Sequence, residues 1–418
     1  MPRFPAGALR RWHPHPLARF VAWYVSSQMV FDSAIWILFL QHRGFSLAEI
    51  GLAEAAFHLA PVLLEIPSGS FADLVGRRWS LAIGSGLTVI AAALLWNAST
   101  LPVVMLALFV SGANYSFRSG ADQAYLYDAL SIEHQAGYGR FFGRLLSVGY
   151  LFGGAATWLG AFLSDWSYAW PYTMMGITGT CGVLLAVGLP EATRELAREI
   201  RRSPRQHIVD VRMLLRAQPA VAGVLVAAAV FWLTLTISGL YSQAVFAERG
   251  LSNGQIGLVI GSTWVAVAAG TALGGQMRGS FAWQWPWLTI GTGLGVALIG
   301  LDAIMVAIVA YLAREVLSGI VEPRLSEWYQ QRLPPAQRAT VLSVESWLFS
   351  CLMIGLFPLA GWFAERAGWP PLYIVCGAVA AMTALAGLLL RNDSDPSGDP
   401  PADLVAPAAP PLAREITS

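Results

Sequence analysis

The sequence predicts an all-α integral membrane protein with twelve transmembrane helices in two pseudo-symmetric six-helix bundles. Three observations lead there. Of 418 residues, 56% are hydrophobic and only 12% are charged, a balance that suits a bilayer-embedded chain and not a soluble one of this length. Apolar runs of about 20 residues recur between short polar turns, each long enough at 1.5 Å per residue to cross a hydrocarbon core of roughly 30 Å. The second half of the chain also echoes the first, in the same order.

Taken in order, helices are expected at 20–40, 47–67, 79–97, 101–127, 140–164 and 169–189, then at 219–246, 253–275, 283–301, 303–326, 338–364 and 370–390. The domains follow: an N-terminal segment 1–19, a bundle 20–190, a linker 191–218, a second bundle 219–390 and a tail 391–418. The first apolar run lacks a small-residue cleavage site and carries Asp32 in its middle, so it reads as helix 1 and not as a removable signal peptide. Near Asp302 a single helix from 283 to 326 would be about 66 Å long, twice the bilayer core, so two helices joined by a tight turn are required. In the linker, Ile208, Val211 and Leu215 recur at helical spacing against Arg205, Arg212 and Arg216, the pattern of an amphipathic tether on the membrane surface. The tail, rich in Pro, Ala and Asp, is expected to be disordered.

Orientation follows from the arginines, which are the only basic residues besides histidine. With both termini in the cytoplasm, the inner segments hold Arg77, Arg78, Arg140, Arg144, the seven arginines from Arg194 to Arg216 and most of the others. The outer side holds only Arg43, Arg249 and Arg366. That bias places a multi-pass protein in the cell membrane with its termini inside. The near-zero net charge gives no footprint for nucleic acid. Cys181, Cys351 and Cys376 lie in apolar segments without metal-ligand spacing, so buried free thiols are expected.

The repeat is legible in three echoes. Arg43-Gly44-Phe45-Ser46-Leu47-Ala48-Glu49-Ile50-Gly51-Leu52 returns as Arg249-Gly250-Leu251-Ser252-Asn253-Gly254-Gln255-Ile256-Gly257-Leu258. Leu146-Ser147-Val148 returns as Leu342-Ser343-Val344, and Trp170-Pro171 as Trp369-Pro370. In the first echo, Ser46 with Glu49 and Ser252 with Gln255 each form a capping box at a helix start. Six helices repeated in the same order imply two bundles related by an axis along the membrane normal.

The polar stretch Gly69-Ser70-Phe71-Ala72-Asp73-Leu74-Val75-Gly76-Arg77-Arg78 joins helices 2 and 3. Its glycines permit a sharp turn, Asp73 can sit at the positive end of the next helix, and Arg77 with Arg78 would hold the loop inside. The pattern resembles the Gly-x-Leu-Ala-Asp-x-x-Gly-Arg-Lys/Arg signature of major facilitator superfamily transporters, matching at Gly69, Ala72, Asp73, Gly76, Arg77, Arg78 and, just beyond, Leu81, and departing at Phe71 and Leu74. The resemblance implies a twelve-helix transporter with rocker-type alternating access. It further implies a gate in which Arg77 pairs with Asp128 and locks the outward-facing state. Helix 5 carries Gly149, Gly153 and Gly154 but lacks the Gly-Pro pair found in many drug:proton antiporters of the family.

Charge inside the membrane is costly and must face water or a partner. It falls on helix 1 (Asp32), helix 2 (Glu54, Glu65), helix 4 (Arg118, Asp122), helix 10 (Arg314, Glu315, Glu322) and helix 11 (Glu345), with none on helices 3, 6, 9 and 12. This agrees with the family arrangement, in which helices 1, 4, 7 and 10 line the cavity and 3, 6, 9 and 12 stand outside. Glu54, His58 and Glu65 form one stripe within about 40° around helix 2. Arg118 and Asp122, at i and i+4, can neutralise each other.

Asp32 is the first candidate for proton coupling, with Glu54, Asp122 and Glu345 behind it; the bland alternative is a helix–helix hydrogen bond or a permanently paired charge. His58, Arg118, Tyr125, Trp232, Tyr241, Trp264, Arg314 and Glu315 are candidates for the substrate cavity, where aromatic groups with few fixed charges suit an amphipathic organic molecule. The leading expectation is proton-coupled export of such a compound by a monomer. The alternative is an importer or uniporter of a sugar, amino acid or organic anion bound by Arg118 or Arg314. There is no HExxH, no nucleophile with a base nearby, no phosphate loop and no ATP-binding domain, so neither an enzyme nor an ATP-driven pump is expected, and no cofactor or metal.

Overall fold

A computed structural model describes residues 15–130, 138–190, 216, 218–333 and 335–392. All of the linker's amphipathic tether except Arg216, the first fourteen residues of the N-terminal segment and the tail after Asn392 lie outside them. The first half of the chain forms α1 (His15–Gln28), α2 (Trp36–His42), α3 (Leu47–Leu74), α4 (Arg77–Asn97), α5 (Leu101–Arg118), α6 (Ala121–Ala129), α7 (Tyr138–Ser164) and α8 (Ala169–Val187). The second half forms α9 (Pro219–Glu248), α10 (Asn253–Gln276), α11 (Phe281–Ile299), α12 (Ile304–Arg332), α13 (Pro335–Ala367), α14 (Trp369–Met382) and α15 (Ala386–Asn392). Among the described residues, nine helices are each long and apolar enough to cross a membrane. The turn near Asp302 is present, with α11 ending at Ile299 and α12 starting at Ile304. Both capping boxes form, Ser46 with Glu49 and Ser252 with Gln255.

Four expectations about local structure are corrected. Predicted helices 1 and 4 are each broken, the first between α1 and α2 around Asp32 and the second at Ser119–Gly120. Gly120, at φ 75°, takes the left-handed conformation that ends α5 without the penalty a Cβ would bring. The polar stretch 69–78 is mostly not a loop. α3 runs through it to Leu74, and the chain reverses at Val75 and Gly76, the latter at φ 133°. Asp73 makes no cap, because α4 starts from Gly76 with no side-chain hydrogen bond. Among the cysteines only Cys376 is buried; Cys181 is exposed.

The helices pair identically in the two halves. In the first, α3 packs on α5 and α4 on α8; in the second, α10 packs on α12 and α11 on α14. The halves meet along two equivalent seams, α3 against α13 and α7 against α10. Apolar side chains that meet no protein sit on the outer spans, Leu184 of α8 at 70% exposed and Trp287 of α11 at 75%, where hydrocarbon would receive them.

Among the described residues the seams close at one end only. At the end opposite the Val75–Gly76 turn, Gly51 lies against Pro358 and Gly361 against Leu47, and the Tyr241 hydroxyl donates to the Leu47 carbonyl at 3.3 Å. Every hydrogen bond between the halves among the described residues is in this closed half, from Gln243 on Ser33 to Asp165 on Asn253. At the turn end, Leu63, Ile66 and Trp347 are more than half exposed.

Candidate functional site

Breaking a helix inside a bilayer frees backbone groups that water cannot reach, and each must find a partner. Between α1 and α2 that partner is Gln243, which comes from α9 in the other half. Its Nε2 donates to the Ser33 carbonyl at 2.9 Å, and its Oε1 accepts from the Ile37 amide at 3.2 Å. α7 supports the break from behind, with Gly160 so close that a Cβ there would lie 1.9 Å from the Phe31 carbonyl oxygen. Asp32 sits in this break at 7% exposure, with no ion pair among the described residues.

Asp32 faces a cavity of about 340 Å³ inside the first bundle, lined also by Glu54, Asn114, Tyr115, Arg118 and the hydroxyls of several serines and threonines. Glu54 is buried, with one carboxylate oxygen 3.5 Å from Nε2 of His58. A second cavity, of about 330 Å³, lies in the other bundle and holds Trp232, Gln243, Tyr311, Arg314, Glu315 and Glu322. The two share Ser33 and Leu240, so they adjoin across the seam.

Arg118 and Arg314 are both held from the first span of their own bundle. Arg118 donates from Nη1 to the Ser27 carbonyl at 3.1 Å and from Nη2 to the Ser27 hydroxyl at 2.9 Å, and its guanidinium lies 5.8 Å from the Trp23 ring centre. It ends α5, where the C-terminal carbonyls favour a cation. Arg314 donates to the Leu235 carbonyl and the Ser238 hydroxyl, both at 3.0 Å, and pairs with Glu315 at 2.8 Å.

Other expected site residues stand elsewhere. The Arg118–Asp122 pair does not form: the break at Ser119–Gly120 removes the helical register that would bring them together, and Asp122 Oδ1 instead accepts from the Gln123 amide at 2.7 Å. Tyr125 is buried against Phe20, away from both cavities, its hydroxyl on the Pro190 carbonyl at 3.0 Å. Tyr241 belongs to the closed end, stacked on Phe357 at 4.7 Å. His58 and Trp264 lie in the seams, against Phe349 and Tyr150 respectively. Glu345 lies beside Tyr329 and Trp232, and Glu65, the last of the helix 2 stripe, is exposed.

Around the α3–α4 turn, Arg77 pairs with Asp128 and donates to the Ala124 carbonyl at 2.7 Å, while Arg78 reaches the Leu189 carbonyl at 3.4 Å. Gly69 and Asp73 are exposed on α3. The Arg77–Asp128 pair expected from the resemblance is thus present in a structure packed at the opposite end.

Sequence reasoning did not single out Asn114, Asp165 or Glu365. A signal for the first was available: Ser111, Asn114, Tyr115 and Arg118 recur at i, i+3, i+4 and i+7, a polar face on α5.

Comparison with known proteins agrees with this architecture. The curated relative YxaM of Bacillus subtilis (strain 168), described as an uncharacterized MFS-type transporter, is 29% identical over 94 residues, or 22% of this chain and 24% of the relative. The match thus spans about a quarter of that relative's length. Among solved structures, a point mutant of the nucleoside transporter NupG superposes with a TM-score of 0.74 at 13% identity, covering 90% of this chain and 99% of the other. A D-xylose-proton symporter gives 0.64 at 16%, covering 90% and 95%. A bacterial homologue of the human lysosomal transporter Spinster gives 0.67 at 17%, covering 90% and 96%. Such identities speak for the fold alone. The Major Facilitator Superfamily profile itself matches residues 20–358, and the chain belongs to that family of membrane transporters.

Proposed function

We propose that this protein is a proton-coupled secondary transporter that exports a small amphipathic organic compound by alternating access. The observation that carries the reading is Asp32: a buried carboxyl in a broken helix, at a cavity wall, with no ion pair among the described residues. A carboxyl so placed can take up and release a proton as the cavity changes its access. Glu54, Asp122 and Glu345 are the secondary proton candidates. Both cavities, with Trp232, Arg314 and Glu315 on the second, form the substrate path. The turn end is assigned to the cytoplasm together with both termini and the linker, in the cell membrane, and the working unit is a monomer. In that orientation the structure is inward-facing, and Gly76, Arg77, Arg78 and Asp128 form part of the cytoplasmic gate.

Arg118 favours a second reading. A cation at the same cavity that makes no ion pair among the described residues suits import or uniport of an organic anion. Transport in proteoliposomes under an imposed pH gradient, with internal pH followed, separates the two. Protons moving opposite to a lipophilic compound support export. Protons moving with an anionic solute, or no proton movement, replace it with the second reading.

A further inference from the structure

Arg118 and Arg314 are separated in sequence by the same interval as the repeated Leu146 and Leu342, and each occupies the fourth span of its bundle. Both guanidiniums reach back to the first span and take one carbonyl and one serine hydroxyl there. Beyond that the symmetry ends. Arg314 has Glu315 at 2.8 Å, whereas the residue that matches Glu315 in the first bundle is Ser119, beyond the last turn of α5. Asp122, beyond the helix break, stays near enough to act on Arg118 through its charge but makes no ion pair with it, and Arg118 has no ion pair among the described residues. Oδ1 of Asn114, one turn earlier on α5, is buried without a hydrogen-bond partner, and so is Nε of Arg118, as is Nε of Arg314 in the other bundle. Asn114 and Arg118 line the 340 Å³ cavity, whose wall also includes the apolar faces of Trp36, Phe57 and Met175.

A half-buried cation that makes no ion pair is costly, and an anion brought into the cavity reduces that cost. We infer that the first-bundle cavity binds a small aromatic carboxylate, with Arg118 taking the carboxylate as the ligand's substitute for the Glu315 of the other bundle. The side-chain amide of Asn114, which also lines the cavity, is then the partner for a hydroxyl or amino group on the same molecule, and Trp36 and Phe57 receive the ring. This inference rests on the second reading above and names its substrate class. An anion bound at the cavity that holds Asp32 also favours the protonated form of that carboxyl, so ligand and proton would travel together.

The test uses binding to the purified full chain in detergent, with no gradient. Thermal stability is followed against phenylacetate and mandelate and against their neutral amides. The acids are expected to raise the melting temperature saturably and the amides are not, with mandelate binding more tightly than phenylacetate. Arg118→Gln should weaken acid binding at least about tenfold. Asn114→Asp keeps the side-chain volume and places a fixed carboxylate one turn from Arg118, so it should fold normally and lose acid binding to the same extent. Acids that act no better than amides on the native protein, or Asn114→Asp binding them with native affinity, would overturn the inference. Acid binding with no proton movement in proteoliposomes would keep the site and sink the proton-coupled reading; proton movement without acid-selective binding would do the reverse.

Discussion

Asp165, just past the end of α7, closes on the start of α10 in the other bundle: Oδ1 takes the Asn253 amide and Oδ2 the Gly254 amide, each at 2.9 Å. Glu365 near the end of α13 does the same at the start of α3, where its Oε1 accepts from the amides of Leu47 and Ala48. Each seam thus ends in a carboxylate from one half seated on the positive end of a helix from the other. The first amides of a helix have no partner within it, and the carboxylates supply one only while this end is closed.

Neutralising the two clasps should therefore release the closed end. A charge on a helix N-terminus contributes about 0.3–1 kcal/mol, so Asp165→Asn with Glu365→Gln should shift the population roughly three- to thirtyfold toward opening there. Double electron–electron resonance between spin labels on the ends of α7 and α10 reads the shift directly. An unchanged distance distribution would show that the apolar seam alone holds this end.

Asp32→Asn removes the titrating group and keeps its volume. Proton-driven accumulation should be abolished while exchange of substrate down its own gradient persists, as measured in proteoliposomes with and without a pH gradient. Normal accumulation against a gradient would remove Asp32 from the coupling role.

Packing at the seam supplies a third test. A Cβ on Gly51 would lie 2.5 Å from the Pro358 Cα, a backbone atom that cannot move aside cheaply. Gly51→Ala should destabilise the closed end by about 1–3 kcal/mol and slow transport. Gly69 has nothing within 4 Å of the same position and is helical, so Gly69→Ala should be neutral or stabilise by up to about 1 kcal/mol. Thermal melts of both variants, with transport rates, separate the two glycines.

Arg77 ties the start of α4 to α6 through Asp128 and Ala124. Arg77→Ala should slow conformational cycling and leave ligand affinity unchanged, seen as a lower turnover with the same half-saturating concentration. A change in affinity without a change in turnover would place Arg77 in ligand binding instead.

The twelve spans, the turn near Asp302 and the repeated capping boxes were legible in the chain because each depends on neighbours a few residues away. Hydropathy over 20 residues marks a span, and a serine three residues before Glu49 or Gln255 marks its start. The local reading failed at Arg118 and Asp122. Their i, i+4 spacing implies a pair only if the helix is continuous, and Gly120 ends it between them. It failed again at Tyr125, where the polar tip of an otherwise apolar ring was satisfied by the Pro190 carbonyl and not by a cavity.

The sequence by itself determined the membrane class, the order of the helices, their repeat and the spans that carry charge, since burying charge in hydrocarbon is penalised wherever it occurs. Tertiary structure alone decided which of those charges are paired, and that Asp32 lies in a break. The break is possible because Gln243, from the opposite half, satisfies the backbone groups it frees. Such contacts depend on how each helix is rotated against distant partners, which the apolar pattern leaves open.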